Sequence, residues 1–346
     1  MNDTPNRASA HPAAPLAALA PAAVAAALPG CLSDGMKHAE VRTFRLTPAA
    51  PVALDIRSDH GDVSVAPADT PAPRWARAAP GGAPTDGASE PGAGPGEGEI
   101  MVHARLRAGR RADLEAATLE PIVANGALRL ETRWRGRGEH GTDYAVRLSD
   151  SPRGVSIDTG YGDAEARVVG GPVRISTGHG DTLLREVTGG AHVESGYGDL
   201  DVSNIGDGLT LRTGHGDVDA TSIAGGFTIE TGYGDVGASD IKGPVRISTD
   251  HGDVTLEALA PGNSGITVDS GYGDLRVALP AALAGRIAAS TGFGDITIRT
   301  PGGRSIGTTI DVQLPGGDGP THTFETGSGD ITIDAETALG SAPPRR

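Results

Sequence analysis

A Gly-Asp pair that returns at a fixed interval restricts this chain to a small set of architectures. Asp163, Asp181, Asp199, Asp217, Asp235 and Asp253 follow one another every 18 residues, and Asp274 and Asp295 follow at intervals of 21. A short constant period of this kind belongs to a quasi-one-dimensional stack, in which each repeat buries its apolar face only against its neighbours. In the copy from Leu209 to Gly226, Leu209, Leu211 and Thr213 alternate with Thr210 and Arg212. That is the period-2 signature of a strand with one buried face. After the turn Gly214-His215-Gly216-Asp217, Val218 and Ala220 alternate again, Ile223 follows, and Gly225-Gly226 closes the copy. The next copy places Phe227, Ile229, Thr231, Val236, Ala238 and Ile241 in the same slots. No ordinary helix fits between the glycines, and the copy is too short for a propeller blade of roughly 40 residues. The expected fold is all-β: a right-handed parallel β-solenoid with coils of about 18 residues, two or three short strands each, stacked about 4.8 Å apart.

Composition narrows the setting. Aromatic residues make up 3 % of the 346, while glycine contributes 53, which rules out a compact globule with a large aromatic core. The periodic β-branched residues argue against disorder despite the glycine and proline content. The net charge is −15 and the only lysines are Lys37 and Lys242, so the chain suits neither nucleic acid nor an anionic membrane surface. Residues 1–30 read as a signal-peptide-like leader: Arg7 precedes an Ala-rich run from Ala13 to Leu28, then Leu28-Pro29-Gly30-Cys31. The run is too short and too rich in Ala and Pro for a membrane span. Cys31, the single cysteine, stands where the lipidated Cys stands in the lipobox of bacterial lipoproteins, which the segment resembles apart from Pro29. The expectation is an exported protein of the cell envelope, touching the membrane only through a lipid on Cys31, or else periplasmic or extracellular.

Residues 31–40 read as a linker and residues 41–150 as an N-terminal β region. Ser58-Asp59-His60-Gly61-Asp62-Val63 matches Thr249-Asp250-His251-Gly252-Asp253-Val254 almost throughout, so Val41 to Pro67 contains a repeat copy of its own. Residues 69–99, rich in Pro, Gly and Ala, read as a flexible insertion. Ile100 to Leu106, Leu128 to Trp134 and Tyr144 to Leu148 alternate like strands, with a short helix between Asp113 and Leu119, and are expected to cap the first coil. Arg105, Arg107, Arg110, Arg111, Arg129, Arg133, Arg135 and Arg137 make this the basic part of the chain, read as a solvated face rather than an anion site. Residues 151–336 form the solenoid repeats. The pattern loosens from Pro301 to Pro320 before Phe324 to Ile331 supplies a last copy, and residues 337–346 read as a disordered tail.

Strand, Ser/Thr-Gly-x-Gly-Asp turn and strand, repeated after a β region that holds one such turn, resembles the bacterial putative-adhesin family of unknown function, from Val41 to Asp334. The resemblance implies an exported or membrane-attached β-solenoid that binds a surface. This chain departs from the pattern where the family carries Ser, as at Ser328: here stand Tyr161, His179, Tyr197, His215, Tyr233, His251, Tyr272 and Phe293. Tyr and His alternate strictly, and the outward residue three positions earlier alternates with them, Asp158, Glu194, Glu230 and Asp269 with Tyr, Ser176, Arg212 and Ser248 with His.

Stacking would align the rings into one ladder and Asp62, Asp163, Asp181, Asp199, Asp217, Asp235, Asp253, Asp274, Asp295 and Asp330 into another. Like charges about 5 Å apart repel, so the carboxylates need cations, raised pKa values or hydrogen bonds to turn amides, and the amides are the structural choice. A calcium-binding β-roll is the alternative, but Gly-Tyr-Gly-Asp lacks the nine-residue spacing of that repeat. No metal or cofactor is expected. Histidines on every second coil stand about 10 Å apart, too far to share an ion. A polysaccharide-acting β-helix enzyme would need one coil with a distinct cluster, and none stands out, so no catalytic residue is assigned. The ring row is then either a corner-packing device or a binding surface for an envelope glycan, an envelope protein or a second solenoid.

Overall fold

The computed structural model describes residues 36–77, 95–257, 259, 265–281, 283–314 and 316–337. The leader, Cys31, the middle of the 69–99 insertion and the tail from residue 338 lie outside these described residues.

The chain folds into two sheets of 14 and 13 consecutively paired strands, largely parallel, and each coil contributes one strand to each. The coil has two strands, where the sequence left two or three open. In the coil Leu209–Ile223, strand Leu209–His215 lies in one sheet and Val218–Ile223 in the other. Pairing runs in register, Leu211 beside Val193 and Ile229, and each residue of a slot sits over its counterpart. The inward columns are buried throughout: Leu209, Leu211, Val218, Ala220, Ile223 and most of their counterparts join one hydrophobic cluster that runs from Phe44 to Ala335, with Thr182 and His322 as buried polar members of the columns. A Ser/Thr column beside the turn is also buried, including Thr159, Thr213 and Thr326. Thr159 Oγ1 donates to Gly61 O at 3.1 Å and Thr326 Oγ1 to Gly273 O at 3.1 Å, whereas the hydroxyls of Thr177, Ser195, Thr231, Thr249 and Ser270 in the same column find no partner among the described residues.

The order of coils departs from the order of the sequence at both ends. The N-terminal copy, Ala53–His60 with Val63–Pro67, lies between the coil of Ala127–Arg133 and His140–Leu148 and the coil of Val155–Tyr161 and Ala164–Val169. Beyond it, Ile100–Ala108 and His38–Leu46 extend one sheet in antiparallel fashion. A helix spans Arg111–Ala116, and the strand Thr118–Leu119 follows it within the stretch where the sequence suggests only helix. At the other end, the coil of Thr321–Ser328 and Ile331–Thr337 slots between Ile266–Pro280 and the coil of Arg286–Phe293 and Ile296–Thr300. The loosened stretch 301–320 supplies two antiparallel edge strands, Gly303–Gly307 and Thr309–Gln313.

Candidate functional site

The corner where strands such as Leu209–His215 turn into Val218–Ile223 carries the motif. Two glycines make it possible. Gly198 adopts φ +130°, and a Cβ there would sit 2.1 Å from Gly180 O of the preceding coil. Gly196 has no unusual φ, but a Cβ would sit 2.5 Å from Gly178 O. Coils at strand spacing crowd a side chain at either position, and only the Gly196 position admits one, as Asp59 and Asp250, so in most coils the residue between the glycines takes the outward space.

That residue is a ring in eight successive coils. His60, Tyr161, His179, Tyr197, His215, Tyr233, His251 and Tyr272 stack with centroids 4.6 to 5.0 Å apart and planes tilted by only 9° to 15°. At strand spacing the row is roughly 34 Å long. His60 belongs to it through the N-terminal copy, although the alternation from Tyr161 onward does not by itself include it. Phe293, expected after Tyr272, is not the next rung. Strand pairing sets Ser328 beside Tyr272 and Phe293 beyond Ser328. The tyrosines of the row are 49 to 58 % exposed and Phe293 is 81 % exposed. Each inner ring has both faces covered by its neighbours, so the row offers edges, the phenol hydroxyls and imidazole nitrogens, to a partner.

The aspartates form the second ladder through the backbone. Asp181 N–H donates to Asp163 Oδ1 at 2.9 Å, Asp199 N–H to Asp181 Oδ1 at 2.9 Å, and so on to Asp274, Asp330 and Asp295. Each of these hydrogen bonds joins the carboxylate of one coil to the turn amide of its neighbour. The first acceptor is a residue the repeat motif does not mark: Asp62 N–H donates to Asp143 Oδ1 at 3.2 Å. Asp143 is fully buried and receives Arg105 Nε at 2.6 Å and Arg107 Nη2 at 2.8 Å. Two of the eight arginines read as solvated thus hold a buried carboxylate. Burial raises the Asp143 pKa against the pull of Arg107 and Arg105. Burial also raises Asp163, against the hydrogen bond from Asp181 and with the repulsion of Asp62 and Asp181 adding to it.

Beside the ring row runs an open trough of about 610 Å³, floored by Gly196, Gly214 and Gly232 and flanked by Glu194, Arg212 and Glu230. Arg212 Nε lies 3.0 Å from Glu230 Oε2. The glycine column begins with Asp59 in the N-terminal copy and is interrupted by Asp250, after which Gly271, Gly327 and Gly292 continue it. Among the described residues no three His, Cys, Asp or Glu side chains converge as a metal-binding group.

With this geometry in view, residues 207–325 match the family model described as Toastrack DUF4097. A search of curated proteins finds no match. Among solved structures, the crystal structure of a putative cell adhesion protein from Clostridium sporogenes ATCC 15579 matches at 11 % identity over 86 % of this chain and 99 % of that one, with a TM-score of 0.26. The family match lies within the coils and includes His215, Tyr233, His251, Tyr272 and Phe293 of the ring-bearing corner.

Proposed function

We propose that this is a non-catalytic, exported envelope protein whose ring-bearing corner is a binding or assembly surface for a repetitive partner. One observation carries the reading. The Ser328 coil builds the same turn without a ring: Gly329 takes φ +150°, and Asp330 N–H donates to Asp274 Oδ1 at 2.9 Å. The backbone of the corner therefore does not require aromatic or imidazole side chains, yet eight coils display them half exposed. Tyrosine hydroxyls recur on every second coil, about 9.6 Å apart, and the trough beside them is polar. Such a surface suits a linear glycan or a second solenoid read by hydrogen bonds to ring edges, since the inner ring faces are occupied. Right-handed coiling and a cap formed by His38–Leu46 and Ile100–Ala108 are part of this reading, as is a leader that ends at a lipidated Cys31.

Changing Tyr197, His215 and Tyr233 together to Ser tests the surface. The expected result is a retained fold with lost retention on cell-wall polysaccharide or lost self-association by sedimentation. If the wild type shows neither retention nor self-association, the surface reading fails. Cell fractionation with fatty-acid labelling of wild type and Cys31→Ser tests the envelope location, and a cytoplasmic chain that keeps residues 1–30 would overturn it.

A further inference from the structure

The ring row and the acidic column beside it break their rules at the same coil. Along the row, imidazole and phenol alternate from His60 to Tyr272, so the next rung is an imidazole place. Ser328 occupies it, with Tyr272 on one side and Phe293 on the other. The strand positions of Tyr272 and Phe293 lie two strand spacings apart, about 9.6 Å, which is the space of one missing rung. These are also the most exposed of the corner's tyrosine and phenylalanine rings.

The outward column three residues earlier runs Arg57, Asp158, Ser176, Glu194, Arg212, Glu230, Ser248, with no two acids adjacent. At the notch it changes, and Asp269 pairs directly with Glu325. Like charges on neighbouring strands are destabilising. Neither acid makes an ion pair among the described residues, and neither do Asp330 and Asp295 on the other side of the ring row. Of the arginines nearby, Arg276 is engaged with Asp253 and Asp274 and Arg286 with Asp311, while Arg246, diagonal to Asp269 across the strand pair, is directed to neither acid by any ion pair among the described residues. The notch is therefore flanked by aromatic rings along the stack and by uncompensated carboxylates across it.

We infer that this notch receives an arginine side chain of a partner polypeptide, its guanidinium filling the missing rung between Tyr272 and Phe293. A planar cation suits the place for three reasons. It stacks on an aromatic ring as the imidazoles of the row do, it gains from the π faces, and it donates hydrogen bonds to carboxylates. A lysine ammonium gains the charge but not the stacking. A tyrosine or a pyranose gains the stacking but leaves the acids uncompensated. The notch lies outside the Tyr197–Tyr233 section, so this inference and the surface reading above fail separately.

The test titrates the full chain with acetyl-Gly-Arg-Gly-amide and its Lys and Tyr counterparts, and with a neutral tetrasaccharide, followed by ligand-observed NMR. The expected result is saturable arginine binding, with upfield ring-current shifts of the Arg Hδ signals and a dissociation constant at least about five-fold below that of the lysine peptide. Ser328→His, which supplies the missing ring, and Phe293→Ala, at a solvent-exposed position, should each weaken arginine binding at least about ten-fold with an unchanged melting temperature. Equal binding of Arg and Lys peptides that neither variant affects would mean diffuse attraction to an acidic chain, and would overturn the inference. Preference for the Tyr peptide or the sugar, or no saturable binding by any probe, would overturn it as well.

Discussion

Val168, Glu186, Asn204, Ser222 and Asp240 occupy the same place in five successive coils, and all take a left-handed backbone, φ +52° to +60°. The residue after each one, Val169, Val187, Ile205, Ile223 and Ile241, is buried. Strict alternation would turn that residue outward, since the preceding inward residues, such as Val218 and Ala220, are two apart and Ile223 follows after three. A single left-handed residue absorbs the extra step. Asn tolerates this conformation, whereas a β-branched side chain such as that of Val168 adopts it only under strain. Val168→Asn should therefore raise stability by about 1 kcal/mol, and Asn204→Val should lower it by a similar amount. Urea denaturation of the two variants checks this, and a destabilised Val168→Asn would mean that packing at the position outweighs backbone strain.

Strand Ile100–Ala108 sits between His38–Leu46 and His140–Leu148 and is buried on both faces. It places His103 in the interior, with Thr43 Oγ1 3.1 Å from its Nδ1. Burial, then Arg147 and Arg45, lowers the His103 pKa from 6.5 to about 4. Between those values the unfolded chain takes up a proton that the folded chain refuses. Stability therefore falls as pH drops from 6.5 towards 4, by about 3 kcal/mol in all. Asp143 works in the opposite sense. Its raised carboxyl binds a proton more readily when folded, so its contribution is present below 3.8 and is lost as pH rises through the raised value. Melting curves of wild type and His103→Gln at pH 7 and pH 4 separate the two. The variant should lose much of the acid-induced drop, and an identical drop in both would exclude His103 as its source.

The end of the stack depends on a coil that the chain supplies late. Thr321–Ser328 and Ile331–Thr337 are the parallel partners of both the Ile266–Pro280 coil and the Arg286–Thr300 coil. A chain ending at Gly319 should therefore lose more than its last repeat. Residues 286–313 lose the strands that join them to the stack, while the coils from Val155 to Glu257 keep all their neighbours. Limited trypsin digestion with mass spectrometry should show new cleavage at Arg286, Arg299 and Arg304, with Arg174, Arg185 and Arg212 still protected. Unchanged protection at Arg286 would contradict the coil order.

Much of this architecture can be read from the residues because each coil contacts the next copy of itself. The 18-residue spacing of the aspartates, the inward columns through Leu211 and Ile229, and the Tyr/His alternation are local patterns, and in-register stacking converts them directly into columns, core and ladder. The tertiary structure decided what depends on which copies far apart in the chain pair with one another. It set His60 against Tyr161 across about a hundred residues, made Asp143 the first acceptor of a ladder whose Gly-Asp motif it lacks, and inserted Ser328 between Tyr272 and Phe293. The physical reason is that identical strand edges offer the same hydrogen bonds to every copy. Periodicity defines what a coil looks like, whereas only the closing of the remaining free edges decides where the end coils go.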